Sequence, residues 1–166
     1  MIDYLAQCNI LYKYQSGFRT KHLTDLCLSY LNDKILKGFD NGLFTGMILI
    51  YLQKAFDTID HNILLEKLKA IGFCDDNVNW FHSYLTDRAF LVSIENKYSA
   101  ISKISCGVPQ GSILGPLLFL IYVNDMKQAV SSDLLLYADS SCLIFQHKHV
   151  TEIEKHLNND FSNLCE

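Results

Sequence analysis

The segment LLLYADSSCLIF, residues 134 to 145, sets two apolar, strand-forming runs on either side of Asp139-Ser140-Ser141. Those three residues have tight-turn composition, so Leu134 to Ala138 and Cys142 to Phe145 read as an antiparallel hairpin. A lone two-stranded hairpin is marginal in water and needs a third strand or helices against it. Thr45 to Leu52, containing MILIYL, is a further β-suited run. An antiparallel sheet with helical cover is therefore expected.

The helices are legible from period and caps. Leu23, Leu26, Leu28, Leu31, Ile35 and Leu36 recur at roughly helical spacing over residues 22 to 37, ending before Gly38. Asp60 is placed to cap a helix carrying Ile63, Leu64, Leu68 and Ile71, with Lys67 and Lys69 in its last turns and Gly72 just after. Asp75 and Asp76 precede another stretch with Val78, Phe81, Tyr84 and Leu85. A hairpin is expected from about Ala89 to Ile104, where Phe90, Val92 and Ile94 alternate up to Glu95-Asn96-Lys97. Pro116 fits only the first turn of a helix running towards Met126. Val150, Ile153, Leu157, Phe161 and Leu164 mark a closing amphipathic helix. The order predicts an α+β fold with helices packed on one face of an antiparallel sheet.

With 166 residues, 49% hydrophobic and 19% charged, the chain can bury a core of about one domain, which excludes disorder for most of it. It has no internal repeat, low-complexity tract or linker composition, so the chain reads as one unit. The net charge of −4 advertises no polyanion partner, although Lys13, Arg19, Lys21, Lys34 and Lys37 against Asp25 and Asp33 give residues 13 to 37 a local charge of +3. Scattered basic residues of that kind ordinarily form a solvated face. Six cysteines without a CxxC pair signal neither a zinc site nor a disulfide framework, and imply a reducing setting. His147 and His149, without acids or cysteines nearby in sequence, read as surface residues rather than a metal pair. The longest apolar run, Leu117 to Val123, is too short to cross a bilayer, and the N-terminus lacks signal-peptide pattern. An intracellular location, nuclear or cytoplasmic, is expected, with no membrane partner.

Four segments together resemble the reverse transcriptases of non-LTR retrotransposons: QSGFR (15 to 19), YLQKAFDTIDH (51 to 61), GVPQGSILGPLLFLIYVND (107 to 125) and LYADSSCLIF (136 to 145). They stand in the family's order and span most of the chain. The resemblance implies a right-hand polymerase fold with a fingers remnant over about 1–44, a palm over about 45–166, and no thumb. It also implies an RNA template, a DNA primer and dNTP as partners. A chain with only part of the fingers and palm is expected to expose sheet edges and apolar surface that the remainder would cover.

The chemistry implied is phosphoryl transfer by two Mg²⁺ ions about 3.5–4 Å apart. Mg²⁺ requires hard oxygen ligands, so the palm of the family places one Asp on a strand and two in an adjacent turn. This chain departs from that pattern. Tyr51 occupies the strand position and Ser140 the second turn position, leaving Asp139 as the remaining carboxylate and metal ligand. A phenol, with an ordinary pKa of about 10, is neutral at working pH and bulky, and a serine hydroxyl is a neutral, weaker ligand. Asp57 lies beyond the strand end and Asp60 reads as a helix cap, so neither is positioned to substitute. Mg²⁺ binding is expected to be weak or absent and polymerisation to fail.

By the same resemblance, Phe56 corresponds to the aromatic under the incoming sugar. Gly107, Pro109, Gln110 and Gly111 correspond to the loop against the template and incoming base, where glycines permit close backbone approach. Arg19 corresponds to the fingers arginine. The alternative is a non-catalytic nucleic-acid-binding module that retains the template channel.

Overall fold

The computed structural model describes residues 1–19 and 22–165. In chain order its elements are helices α1 (Ile2–Gln7) and α2 (Thr24–Asp40), strand β1 (Phe44–Tyr51), and helices α3 (His61–Ala70) and α4 (Asp75–Leu85). Four two-residue strands follow: β2 (Ala89–Phe90), β3 (Ser93–Ile94), β4 (Lys97–Tyr98) and β5 (Ser102–Lys103). Helix α5 (Leu114–Tyr122), a 3₁₀ turn (Met126–Ala129), strands β6 (Asp133–Tyr137) and β7 (Ser140–His147) and helix α6 (Val150–Cys165) complete the chain. They form two compact units, one built from Met1–Gln53 and the chain from Val123 onward, the other from Lys54–Tyr122.

The first unit is built on a three-stranded antiparallel sheet of order β1-β7-β6. Successive residues of a strand face opposite sides, and here both sets are apolar. Leu134, Leu136 and Leu143 pack with Ile153 and Leu157 of α6. Leu135, Cys142 and Ile144 pack with Cys27, Tyr30 and Leu31 of α2. Helices thus cover both faces, correcting the one-face expectation: strands apolar on both sides need two covers. Gly46 lets α6 approach β1, since a Cβ there would lie 2.2 Å from Ile153 Cγ2. The outer edge of β1 and its face bearing Met47, Leu49 and Tyr51 are exposed.

Helix α2 runs through Gly38 to Asp40 instead of stopping at 37. Gly38 is buried there, and a Cβ on it would meet Gln146 Nε2 at 2.2 Å, so it is a packing glycine and not a stop signal. In the second unit, α3 packs on α4 and α5 through Leu64, Leu68, Val78, Phe81, Leu85 and the buried face of α5. The Asp60 cap is as expected: its carboxylate accepts from the N–H groups of Asn62 and Ile63 at 2.8 and 3.1 Å. Pro116 sits in the first turn of α5, and the Ser112 hydroxyl accepts from Gly115 N–H at 3.0 Å. The helix ends at Tyr122 and not near Met126, and the Tyr122 carbonyl accepts from Lys67 Nζ.

The expected hairpin over 89 to 104 forms as two short ladders, β2 with β5 and β3 with β4, around a Glu95-Asn96 turn with positive φ at both residues. The ladder breaks where Val92 N–H donates to the Ser99 hydroxyl at 2.9 Å. Phe90, Val92 and Ile94 are all exposed, so their alternation marks no core. Among the described residues, no helix is long and apolar enough to cross a membrane.

Candidate active site

Strands β1 and β7 pair from Phe44↔His147 to Tyr51↔Ser140, and β6 meets β7 at Tyr137↔Ser140. The turn between β6 and β7 is Ala138-Asp139, so Ser140 is the first residue of β7 and the expected Asp139-Ser140-Ser141 turn is shifted by one. The shift has a local cause: Ala138 takes φ 53°, the left-handed backbone that two-residue hairpin turns require. The Leu52 N–H donates to the Asp139 carbonyl at 2.9 Å, tying the end of β1 to the turn. Tyr51, Asp139 and Ser140 therefore meet at one end of the sheet.

Their chemistry does not suit a pair of Mg²⁺ ions. One carboxylate, one phenol and one hydroxyl occupy the end of the ladder, so it offers a single anionic group to hard divalent cations that prefer carboxylate oxygens. Tyr51 is 69% exposed, so its ring lies largely in solvent. Among the described residues, no group of three or more His, Cys, Asp and Glu side chains is arranged to hold a metal ion. Asp60 is committed to its helix cap, and Asp57 Oδ1 accepts from Gln110 Nε2 at 2.7 Å.

The QSGFR segment supports the turn. Leu136 N–H donates to the Tyr14 carbonyl at 3.0 Å and Ser16 N–H to the Leu136 carbonyl at 2.8 Å, so the segment continues the sheet beyond β6. Gln15, which sequence reasoning missed, is buried, and its side-chain oxygen accepts from Gly17 N–H at 2.8 Å and Ala138 N–H at 3.3 Å. A Cβ on Gly17 would lie 2.2 Å from the Ala138 nitrogen. The only signal in the sequence was their place in QSGFR. Arg19 Nη1 donates to the carbonyls of Tyr12 and Gln15 at 3.0 and 3.1 Å, and burial lowers its pKa. Its guanidinium thus holds the segment's own backbone. The local positive charge of residues 13 to 37 is similarly engaged: Lys34 pairs with Asp133 and Lys13 lies over the Tyr14 ring, while Lys21 falls outside the described residues.

The second unit brings the other expected residues together. Gly107 N–H donates to Ile59 O at 2.7 Å and Val108 N–H to Phe56 O at 2.8 Å, clamping the start of GVPQG on the AFDTI segment. Buried His61, also missed by sequence, places Nε2 2.7 Å from the Gly107 carbonyl. Gly107 has φ 86° and its Cβ position lies 2.7 Å from Asp57 O, so close backbone approach is its structural requirement. Gly111 also has positive φ but faces open space. The Pro109 carbonyl accepts from the Ser112 hydroxyl at 2.7 Å. Phe56 is half-buried, its ring stacked on Phe119 at 5.0 Å.

Residues 1–164 match the family described as reverse transcriptase (RNA-dependent DNA polymerase). The chain belongs to the reverse transcriptase family. In an alignment of 171 positions that covers 98% of its length, it is 32% identical to the probable RNA-directed DNA polymerase from transposon BS of Drosophila melanogaster. In an alignment of 146 positions that covers 83% of its length, it is also 32% identical to the RNA-directed DNA polymerase from mobile element jockey of the same organism. These matches cover 19% and 16% of the two relatives, so this chain spans less than a fifth of each. Among solved structures, apo telomerase from Candida tropicalis truncated from its C-terminal domain aligns with a TM-score of 0.65 at 18% identity, covering 97% of this chain and 34% of that one. The fold of the aligned third of that telomerase is thereby shared, and its α+β character agrees with the sequence expectation.

Proposed function

We propose that this chain is a reverse transcriptase domain unable to polymerise. The observation carrying this reading is the Tyr51↔Ser140 pair beside Asp139 at the end of the sheet, which offers a phenol and a hydroxyl where the family's chemistry needs carboxylates. Within the assignment of 1–44 as a fingers remnant and 45–166 as palm, these three residues occupy the catalytic positions. Of these three, Asp139 alone keeps a carboxylate for Mg²⁺, and the ion is held weakly or not at all. A primer-extension assay on an RNA template, in Mg²⁺ and separately in Mn²⁺, is expected to give no template-dependent dNTP incorporation. Incorporation above background would overturn the reading.

A second reading, a nucleic-acid-binding module that keeps the template channel, is favoured by the intact Gly107–Gly111 loop, whose two ends are fixed by Ile59, Phe56 and Asp57. Phe56, Pro109 and Gln110 are its candidate contacts to the template and incoming base, and Arg19 acts by shaping the segment around Gln15. The DNA primer belongs to this proposal as the strand paired with the template. Binding to an RNA/DNA hybrid across a salt series tests it: affinity should fall linearly in log–log form with salt, and negligible affinity at low salt rejects it.

A further inference from the structure

We propose that the outer edge of β1 is a docking surface for a second copy of this chain, the two β1 strands pairing antiparallel about a twofold axis so that two three-stranded sheets become one of six strands. β1 runs for eight residues, Phe44–Tyr51, in unbroken register against β7. Edge strands that stay in solvent are ordinarily blunted by charges, proline, bulges or shortness. The strand FTGMILIY has no charged residue and no proline. Nothing in it refuses a partner strand.

The ladder with β7 fixes which backbone groups face outward. Leu52 N–H donates to Asp139 O at 2.9 Å, one step beyond the Tyr51↔Ser140 pair. Hydrogen-bonding sides alternate along an antiparallel strand. Phe44, Gly46, Ile48 and Ile50 therefore bond β7, while the N–H and C=O groups of Thr45, Met47, Leu49 and Tyr51 point to the open edge. One twofold register uses all four, with Met47 opposite the second copy's Leu49, Thr45 opposite its Tyr51, and Ile48 facing its own counterpart on the axis. It closes about eight main-chain hydrogen bonds, two for each directly bonded pair. Opposite residues share a face, so Met47 (44% exposed) and Leu49 (78% exposed) of each copy cover those of the other.

Self-pairing suits this strand because it sets no like charges against each other and matches apolar residues with apolar residues. The sheet's opposite edge decides the number of copies. Beyond β6, Leu136 N–H donates to Tyr14 O at 3.0 Å and Ser16 N–H to Leu136 O at 2.8 Å. Gln15 and Ser16 are buried there, so that edge is covered. With one open edge per chain the contact is isologous and closes at two copies, whereas two open edges would propagate into a fibre.

The test begins with the unmodified chain. Sedimentation equilibrium over a wide concentration range should show the monomer and a species of twice its mass. Hydrogen exchange followed by NMR should show the amides of Thr45, Met47, Leu49 and Tyr51 gaining protection as concentration rises, while those of Ile48 and Ile50 are protected throughout. Met47→Lys with Leu49→Lys sets lysines opposite each other twice in the dimer and should weaken it about tenfold or more. Met47→Glu with Leu49→Glu should do the same, and an equimolar mixture of the two variants should pair again. Both positions are exposed, and circular dichroism checks that the variants fold. A chain that stays monomeric at every concentration overturns the proposal, as does a dimer whose outward amides exchange as fast as in the monomer. Growth beyond two copies overturns the closed pair, and variants that fold but fail to pair on mixing overturn the register.

Discussion

The side-chain oxygen of Gln15 lies 3.3 Å from the N–H of Ala138, the residue immediately before Asp139. The same oxygen accepts from Gly17 N–H, so one buried amide braces both the QSGFR segment and the turn carrying the remaining carboxylate.

Replacing Gln15 by Ala strands two N–H donors, one of them on the buried Gly17. The expected cost is about 1–3 kcal/mol, read as a lower urea midpoint by circular dichroism. Gly17→Ala should cost a similar amount, about 1–3 kcal/mol, because the neighbour its Cβ meets is the Ala138 backbone and not a movable side-chain end. Unchanged midpoints in both variants would contradict the brace.

Local signals carried far in this chain. Asp60, Gly72 and the period of Leu64 and Leu68 located α3, because a cap and an apolar stripe act within one helix. Signals that depend on packing partners misled. Gly38 read as a stop but is a contact point for Gln146. The alternation of Phe90, Val92 and Ile94 located a hairpin that does form, but it could not tell that these residues lie in solvent. The turn beside the candidate site shifted by one residue because Ala138 adopts positive φ, which composition favours least among turn residues. The chemical identities of Tyr51, Asp139 and Ser140 needed only the motif. The work of Gln15 and His61 needed three-dimensional neighbours, since a lone Gln or His has no sequence signature for holding a backbone.

Gly107→Ala should be more harmful than Gly111→Ala, although both glycines have positive φ. The added methyl at 107 meets Asp57 backbone at 2.7–2.9 Å, whereas at 111 it meets nothing within 4 Å. Backbone strain of about 1 kcal/mol is common to both, and the clash adds about 1–3 kcal/mol at 107 alone. Thermal melts of the two variants check the order, and equal losses would show that the Gly107–Asp57 approach relaxes freely.

Asp160 gives the fold a pH dependence. Burial raises its carboxyl pKa, but hydrogen bonds from Ser132 and Ser131 outweigh this and hold it below the ordinary value. Ser132 N–H donates at 2.7 Å and Ser131 N–H at 3.2 Å. A depressed native pKa means the charged form is favoured on folding. Its stabilisation is therefore complete above the unfolded carboxylate range, near about 4, and is lost as pH falls through the lower native value. Asp160→Asn should be less stable by about 1–3 kcal/mol at pH near 7, with the gap narrowing below pH about 4. Melting temperatures followed from neutral to acid pH check this. A constant gap would mean that the carboxylate charge contributes nothing.

The final prediction separates loss of ligands from loss of the fold. Tyr51 and Ser140 are direct cross-strand partners, and cross-strand partners present their side chains to the same face. Tyr51→Asp with Ser140→Asp would therefore place two carboxylates side by side next to Asp139. Without metal, their mutual repulsion should lower the melting temperature below that of the unmodified chain. With Mg²⁺ at about a hundredfold above its Kd, mass action should restore about 2.7 kcal/mol, a rise of roughly 5–10 °C in a chain of this size. Each single substitution supplies one new carboxylate and should respond much less. The repaired chain is still expected not to extend a primer, because positioning of both substrates supplies most of the rate in phosphoryl transfer and two carboxylates add none of it. Thermal melts with and without Mg²⁺ decide the matter. A folded double variant with no Mg²⁺-dependent shift would place the lost metal site somewhere other than the Tyr51–Ser140 end of the sheet.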